Sequence, residues 1–298
     1  MMPVKKPRGP SPEQIRRRRL AALAGILVAL LAVVVAIVVA LPHVRGSHAA
    51  TTAVPPPPAK PFRVIFPEGF TRAQMAERVQ VVAKIAERKK GKPVVLSGKQ
   101  YLLATKRAVL PCFTPHRETK LEGFLFPATY DFLATTTSRE LATEQLQTFC
   151  DNWSALDLSY ARKKNLTPYD VLIIASMVEK ETLAPDERKL VAAVIYNRLH
   201  AHMPLGIDAT LRYGFNIKPT QSILQSQLDS DNPYNSRKLL GLPPTPIANP
   251  GLASIQAAAH PAQVDYLYFV RKPDRQHHFF TASATAFAHY ECAHGYGC

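Results

Sequence analysis

The chain has 298 residues, of which 47% are hydrophobic, so it can bury a substantial core and is not a wholly disordered protein. Its 26 prolines follow no Gly-X-Y period, which excludes a collagen-like chain. There are 37 Lys and Arg against 22 Asp and Glu, a formal net charge of +15. Such a charge favours anionic partners, namely nucleic acid, lipid headgroups or an acidic wall polymer.

The first element is an apolar segment that directly follows a basic tail. The tail, residues 1–19, ends in four consecutive arginines, and residues 20–41 then contain no charged side chain. As a helix, this segment is long enough to cross the hydrocarbon layer of about 30 Å. Basic flanks stay in the cytoplasm, so we expect a single-pass anchor in the cell (inner) membrane, with the N-terminus cytoplasmic and the rest extracytoplasmic. A cleaved signal peptide is the alternative, although its apolar region is usually only about 7–15 residues long. Because the anchor carries the densest positive charge, we expect no nucleic-acid partner.

A linker and a small folded unit come next. Residues 42–61 include four consecutive prolines, which favour an extended, semi-rigid spacer. The alternating FRVIF at 62–66 predicts a strand, and Thr71 is the predicted N-cap of a helix that continues to about Lys90. We expect these elements to belong to a small unit over residues 62–115.

A larger domain is expected over residues 116–298. A capping-box pattern at 167–170 predicts the start of an apolar helix, and Pro185 begins a second one. Residues 202–251 are rich in proline and glycine and predict a long irregular segment, of the kind that often carries function. Two strands at 265–270 and 277–281 and a helix at 283–294 complete the pattern. Helices combined with an antiparallel hairpin predict the α+β fold class.

The helix that begins at Pro168 ends in two glutamates. Residues 171–178 are almost wholly apolar, so Glu179 should be partly desolvated, with a raised pKa that suits a general acid. Glu181 is the rival, because it lies about 200° around the helix and the two side chains cannot point into one cleft. Alternatively, residues 179–181 simply mark where the helix reaches water.

Residues suited to sugar binding surround this helix in the sequence. Amides pair with hydroxyl and acetamido groups, and aromatic rings stack on pyranose faces. The candidates are Asn197, Asp208, Thr210, Tyr234, Asn235 and Asn249. The sequence has no HExxH, paired CxxC, P-loop or GxGxxG motif, so no metal or organic cofactor is expected. His277 and His278 are adjacent on a predicted strand and should face opposite sides, one in the core and one at the surface.

All four cysteines follow the apolar segment. Cys292 and Cys298 enclose five residues and are able to close a small loop, which would leave Cys112 and Cys150 to pair. Four cysteines allow three connectivities, and free buried thiols are a further alternative.

The sequence resembles the endolytic murein transglycosylase (YceG-like) family over about residues 62–298. The resemblance rests on segments that occur in family order and at family-like spacing: LEGFLFPATY (121–130), ASMVEKET (175–182), VIYNRL (194–199), MPLGIDATLRYG (203–214), NPYN (232–235), GLPPTPIANPG (241–251), AAAHPA (257–262) and YLYFV (266–270).

This resemblance implies a membrane-anchored enzyme whose small unit is LysM-like and binds peptidoglycan. It implies that the first glutamate of VEKE, Glu179, is the catalytic acid and base that cleaves the MurNAc–GlcNAc bond with formation of a 1,6-anhydro end. Glu122 or Asp208 would help to stabilise the developing positive charge. The expected partners are peptidoglycan glycan strands, the lipid bilayer through residues 20–41, and cell-wall synthases.

The chain departs from the family pattern at two places. Gly206 stands where many relatives have glutamine, and Ser236-Arg237 follow NPYN in place of the frequent Thr-Tyr. These changes concern subsite details and rate more than the type of reaction. Two alternatives to a lytic transglycosylase stay open, a non-catalytic peptidoglycan-binding scaffold tethered to the membrane and a muramidase-type hydrolase.

Overall fold

The computed structural model describes residues 12–44, 60–113 and 119–296, which divide into two compact units between residues 58 and 59. The first unit contains helix α1, Pro12–Val44. Within α1, Arg19–Val38 is apolar and long enough to cross a membrane, with a mean hydropathy of 3.1. A signal sequence near the N-terminus meets the same criteria of length and composition. Residues 45–59 of the predicted spacer lie outside the described residues, and its first three residues, 42–44, belong to α1.

The second unit mixes helices with short antiparallel strands. Its elements are β1 Phe62–Ile65, α2 Arg72–Lys90, α3 Gly98–Ala104, β2 Arg107–Ala108, β3 Thr119–Lys120, β4 Thr129–Phe132, α4 Ser138–Trp153, α5 Ser159–Lys163, α6 Pro168–Glu181, a 3-10 helix Pro185–Glu187, α7 Arg188–His200, α8 Asp208–Phe215, α9 Gln225–Leu228, α10 Leu252–Ala259, β5 Tyr268–Arg271, β6 His278–Thr281 and α11 Ala284–Ala293. The strands form the antiparallel pairs β1–β4, β2–β3 and β5–β6. The expected mixture of helices and antiparallel strands is confirmed.

A first hydrophobic core joins β1, α2 and α3 to β4 and the start of α4. Helix α2 begins where the sequence predicts, because Thr71 and Gln74 form a reciprocal capping box, and it ends at Gly91, whose φ of 63° is left-handed. The strand that pairs with β1 comes from residues 129–132, well beyond the 62–115 range of the predicted small unit.

The second core is built around α6, which packs against α10 and α7. Thr167 and Asp170 form the predicted capping box, and Pro168 occupies the first turn. Every residue from Val171 to Val178 is buried. Because α6 is enclosed on all sides along this stretch, its polar C-terminal end is where it can present chemistry.

Two predicted elements have different bounds. The segment 202–251 is less irregular than expected, since it contains α8 and the short α9. Strand β5 begins at Tyr268 rather than at residue 265. The Asn197 amide explains the later start, because it donates to the carbonyl oxygens of Val264 and Tyr266 at 2.9 Å and so holds this stretch against α7.

Covalent and polar links tie the second unit together. Cys112 and Cys150 form a disulfide with a Cα–Cα distance of 5.3 Å, as preferred from the sequence. Cys292 is also disulfide-bonded, and Cys298 lies outside the described residues. His278 is buried while His277 is exposed, as predicted. The His278 Nδ1 lies 2.7 Å from Oε2 of the buried Glu187, which fixes β6 to the start of α7.

Candidate active site

Glu179 points toward the start of α10. Its Oε2 accepts hydrogen bonds from the Gly251 backbone N–H at 3.1 Å and from the Ser254 hydroxyl at 2.7 Å. On another side the Gly69 turn packs closely, since a Cβ atom placed at Gly69 would lie 3.4 Å from the Glu179 Cγ. The partly buried Glu179 carboxylate therefore connects α6, α10 and the turn after β1.

A second carboxylate, which the sequence reasoning missed, lies beside Glu179. The Glu68 carboxyl packs directly on Gly251, where a Cβ atom would come within 1.9 Å of its Oε1. Partial burial and the charge of Glu179 raise the pKa of Glu68, while Arg188 lowers it. In the sequence, Pro67-Glu68-Gly69 is recognisable only as a turn, because nothing local shows that residue 251 will meet it.

Glu181 points elsewhere, toward the start of α8. Burial first, and then the charge of Asp208, raise the pKa of Glu181 to about 7. The Arg271 and Arg237 cations and a hydrogen bond from the Ala209 N–H act in the opposite direction. The residue is nevertheless partly accessible to solvent. Glu181 is thus a desolvated but reachable carboxyl that holds its proton more tightly than a free glutamic acid does.

The predicted divergence of the two glutamates is confirmed. Glu179 contacts the Gly69 turn and the start of α10, whereas the groups that act on Glu181 come from α8, the segment after NPYN and β5. Asp208, a predicted site residue, is one of the charged groups near Glu181. It accepts a hydrogen bond of 2.6 Å from Nε of Arg237, and both side chains are about half exposed.

Buried hydroxyl groups join the start of α8 to the segment that carries Arg237. The hydroxyl of Thr210 donates to the Ile207 carbonyl at 2.7 Å and lies 2.9 Å from the Ser236 hydroxyl. Ser236 in turn accepts from the Ile207 N–H at 3.0 Å. Thr210 is therefore brought next to the segment that carries Arg237, but its own side chain is fully buried.

Glu122 and Asn249 form a buried pair away from solvent. Oε1 of Glu122 accepts from the Arg72 N–H at 2.9 Å and from the Asn249 amide at 3.0 Å, and its Oε2 accepts from the Tyr213 hydroxyl at 3.1 Å. Burial raises the pKa of Glu122 to about 7 in spite of these hydrogen bonds.

The side chain of Asn249 makes four hydrogen bonds. Its Oδ1 accepts from the N–H groups of Gly123 and Leu125, and its Nδ2 donates to the Phe70 carbonyl as well as to Glu122. All of its hydrogen-bonding capacity is used within the protein.

The remaining predicted site residues have different surroundings. Asn197 supports the segment before β5, as described above. Asn235 is fully buried, and its amide donates to the Leu228 and Ser230 carbonyls at 2.8 Å. Tyr234 is partly exposed, and its hydroxyl lies 2.8 Å from that of Thr245. Beside Tyr234 a groove of about 250 Å³ is lined by Pro233, Ser236 and residues 239–244.

The described residues contain no cluster of metal ligands. Over the ranges 12–44, 60–113 and 119–296, no three His, Cys, Asp or Glu side chains come together in a way that would hold a metal ion.

Comparisons with known proteins identify the family. The family model described as YceG-like matches residues 46–291, most of the chain. The chain is 38% identical over 160 residues to the endolytic murein transglycosylase of Bacillus subtilis, covering 54% of this chain and 44% of the relative. It is 35% identical over 219 residues to the endolytic murein transglycosylase of Streptococcus pneumoniae R6, covering 68% and 39%. The chain thus spans about two fifths of the length of these curated relatives.

A solved structure agrees with the sequence comparisons. The 2.6 Å crystal structure of a putative YceG-like protein from Listeria monocytogenes matches with a TM-score of 0.62 and 27% identity. The match covers 78% of this chain and 76% of that one. From the family match and the shared fold together, the chain belongs to the YceG-like family.

Proposed function

We propose that this chain is a peptidoglycan lytic transglycosylase that cleaves the MurNAc–GlcNAc β-1,4 bond and leaves a 1,6-anhydroMurNAc end. The names of the relatives support the reaction class. The observation that carries the proposal is a partly accessible glutamate, Glu181, whose pKa of about 7 lets it hold a proton at neutral pH and release it again.

One carboxyl group suffices for this reaction. The acid transfers its proton to the glycosidic oxygen as the C1–O bond breaks. The C6 hydroxyl of the same MurNAc then attacks C1, and its proton passes to the carboxylate, which restores the acid. No water is consumed, so the second carboxylate that an ordinary glycosidase uses to handle water or a covalent intermediate is not required. Asp208 lies beside Glu181, but Arg237 balances its charge, so we propose that the carboxylate left on Glu181 after it gives up its proton stabilises the oxocarbenium character at C1.

The geometry favours Glu181 over Glu179 as this acid. The resemblance assigns the role to Glu179, but Oε2 of Glu179 already accepts two hydrogen bonds from α10. Glu181 faces the segment where the sequence places its sugar-binding residues, and Asp208 is next to it. We therefore propose that Glu181 transfers the proton and that Glu179 holds the start of α10 against α6.

We also propose roles for the other predicted site residues. Asp208 and the partly exposed Tyr234 are positioned to meet the glycan. Five further residues are largely or fully engaged by protein partners and would act by holding the walls of the site: Glu122, Asn197, Thr210, Asn235 and Asn249. The engaged polar atoms of this second group support a positioning role rather than direct contact with sugar.

The cellular setting is part of the proposal. We propose that residues 20–41 anchor the protein in the membrane, that residues 1–19 are cytoplasmic, and that the enzyme terminates or trims nascent glycan strands outside the membrane. The apolar helix supports the anchor. A LysM-like small unit that binds peptidoglycan and contacts with cell-wall synthases remain predictions from the resemblance.

The experiment compares Glu181→Gln with Glu179→Gln. The full chain in detergent is incubated with purified murein, and the soluble fragments are measured by mass spectrometry. We expect anhydro-ended fragments from the wild type and a loss of at least about 100-fold in their release by Glu181→Gln, with its melting temperature unchanged. We expect Glu179→Gln to keep a measurable fraction of the activity.

Each other result has a definite meaning. If Glu181→Gln remains active and Glu179→Gln does not, Glu179 is the acid. Fragments heavier by one water identify a hydrolase. Binding of the wild type to sacculi without any released fragment identifies a non-catalytic scaffold.

A further inference from the structure

Arg237 lies near Glu181, the last residue of α6. It follows the buried Asn235 and Ser236, whose hydrogen bonds to residues 206–210 and 228–230 fix the backbone that carries it. Its Nε donates to Oδ1 of Asp208 at 2.6 Å, which orients the guanidinium plane. About half of the side chain remains exposed.

The orienting contact leaves most of the Arg237 donors free. A guanidinium carries five N–H donors, and the ion pair with Asp208 uses the one on Nε. Within the described part of the chain, its two terminal nitrogens have no hydrogen-bond partner among the protein atoms. Such a pair of parallel donors matches a carboxylate in a bidentate arrangement.

The surrounding charges are compatible with a bound anion. Arg271 also acts on Glu181, and Arg198 is close enough to feel the charge of Arg237. The opposing acids are Asp208, which is already paired, and Glu291. When Glu181 carries its proton, as it must before transferring it, arginines outnumber ionised carboxylates around this point.

We propose that Arg237 is a specificity-determining residue that binds a carboxylate of the glycan substrate through its two terminal nitrogens, while Asp208 holds it in position next to Glu181. This inference rests on the proposed function, and it names the chemical group of the substrate that the site recognises. Murein offers two sources of this chemistry, the carboxylates of the attached peptides and the lactyl carboxylate of muramic acid, which is free only where the peptide has been removed.

The test compares Arg237→Gln with the wild type, using the full chain in detergent on three substrates. The first is native glycan strands with peptides. The second is the same strands after an amidase has removed the peptides and left the lactyl carboxylate. The third is these stripped strands after their carboxylates have been converted to amides. KM and kcat are measured separately through the anhydro-ended products.

We expect Arg237→Gln to raise KM about tenfold on substrates that carry the recognised carboxylate and to leave KM unchanged on the amidated strands. An effect on native strands alone identifies a peptide carboxylate, an effect on stripped strands alone identifies the lactyl carboxylate, and an effect on both shows that Arg237 accepts either one. Arg237→Lys keeps the positive charge but not the pair of parallel N–H donors, so it should recover part of the affinity for the carboxylated strands. The activity of Arg237→Gln should also extend to higher pH, because one of the cations that lower the pKa of Glu181 is gone.

The matched control is Lys238→Gln, which removes the same charge from the neighbouring residue. Lys238 pairs with the exposed Asp231, away from Glu181, and its variant should have the KM of the wild type. An unchanged KM for Arg237→Gln on both carboxylated substrates overturns the proposal, as does an equal loss on the amidated strands. If the wild type itself releases no anhydro ends, the proposed function fails. In that case sedimentation measures how tightly the wild type and Arg237→Gln bind the three kinds of strand. These affinities still decide whether Arg237 recognises a carboxylate.

Discussion

Replacement of Glu122 by glutamine should change how the stability of the protein depends on pH. Burial raises the pKa of this carboxyl from 4.5 to about 7. A proton bound more tightly in the folded state contributes stability that is fully present below the unfolded pKa and is lost as pH rises through the folded pKa. The window is therefore about pH 4.5 to 7. At 1.36 kcal/mol per pKa unit, the contribution that is lost amounts to about 3 kcal/mol.

Glutamine keeps the acceptor that the Arg72 N–H and the Asn249 amide require, and it cannot ionise. The difference in unfolding free energy between Glu122→Gln and the wild type should therefore move in favour of the variant by about 2 kcal/mol between pH 5.5 and pH 7.5. Contributions from Glu181 and Glu68 are common to both proteins and cancel in the difference.

Urea unfolding of the full chain in detergent measures this quantity. Trp153, the single tryptophan of the sequence, is buried against Phe149 and Phe113 and reports the transition by fluorescence. Glu77→Gln, at an exposed position of α2, controls for the loss of a carboxylate as such. A stability difference that stays constant from pH 5.5 to 7.5 would show that Glu122 is not a desolvated carboxyl in solution.

Three further predictions concern the fold. Removal of the disulfide by Cys112→Ala with Cys150→Ala should cost about 4 kcal/mol by loop entropy, since the bridge spans 38 residues, and urea unfolding measures this loss. The reduced wild type, in which the bridge of Cys292 is broken as well, should lose at least as much. Gly123→Ala should lower the unfolding free energy by more than about 3 kcal/mol, because φ is +92° and the new Cβ would lie 2.6 Å from Pro246. Gly91→Ala, where φ is +63° and the space is open, should lower it by only about 1 kcal/mol. Equal losses for the two variants would contradict this reasoning. Asn249→Ala leaves the buried N–H groups of Gly123 and Leu125 without this acceptor and removes one of two donors from the Phe70 carbonyl and from Oε1 of Glu122, so it should lower stability by about 3–5 kcal/mol or prevent folding. Asn152→Ala, which removes one bond within α4, should cost about 1 kcal/mol, and circular dichroism melts distinguish these outcomes.

The features that the sequence predicts well are those specified by neighbouring residues. The capping boxes at Thr71 and Thr167 lie within four residues of the helix starts that they define, and the apolar run from 171 to 178 requires burial wherever α6 packs. The alternation at the start of β6 likewise separates His278 from His277, the residue that precedes the strand. Local chemistry alone determines these outcomes.

The candidate site depends on contacts between distant parts of the chain. Helix periodicity shows that Glu179 and Glu181 diverge, but it does not show that one will meet residues 251–254 and the other residues 208–209. The proximity of Glu68 to Glu179 requires the turn after β1 to dock beside α10. Asn249 resembles an ordinary turn residue in its Asn-Pro-Gly context, and its role becomes visible only through partners more than 120 residues earlier.

The four hydrogen bonds of Asn249 have a consequence for biosynthesis. A chain is made from its N-terminus, so residues 70 and 122–125 leave the ribosome long before residue 249 exists. Until then, two backbone amides and the Glu122 carboxyl must be solvated by water, and the first half of this unit can only be provisionally folded. A nascent chain arrested shortly before residue 249 should accordingly be more sensitive to proteolysis near residue 122 than one arrested after it.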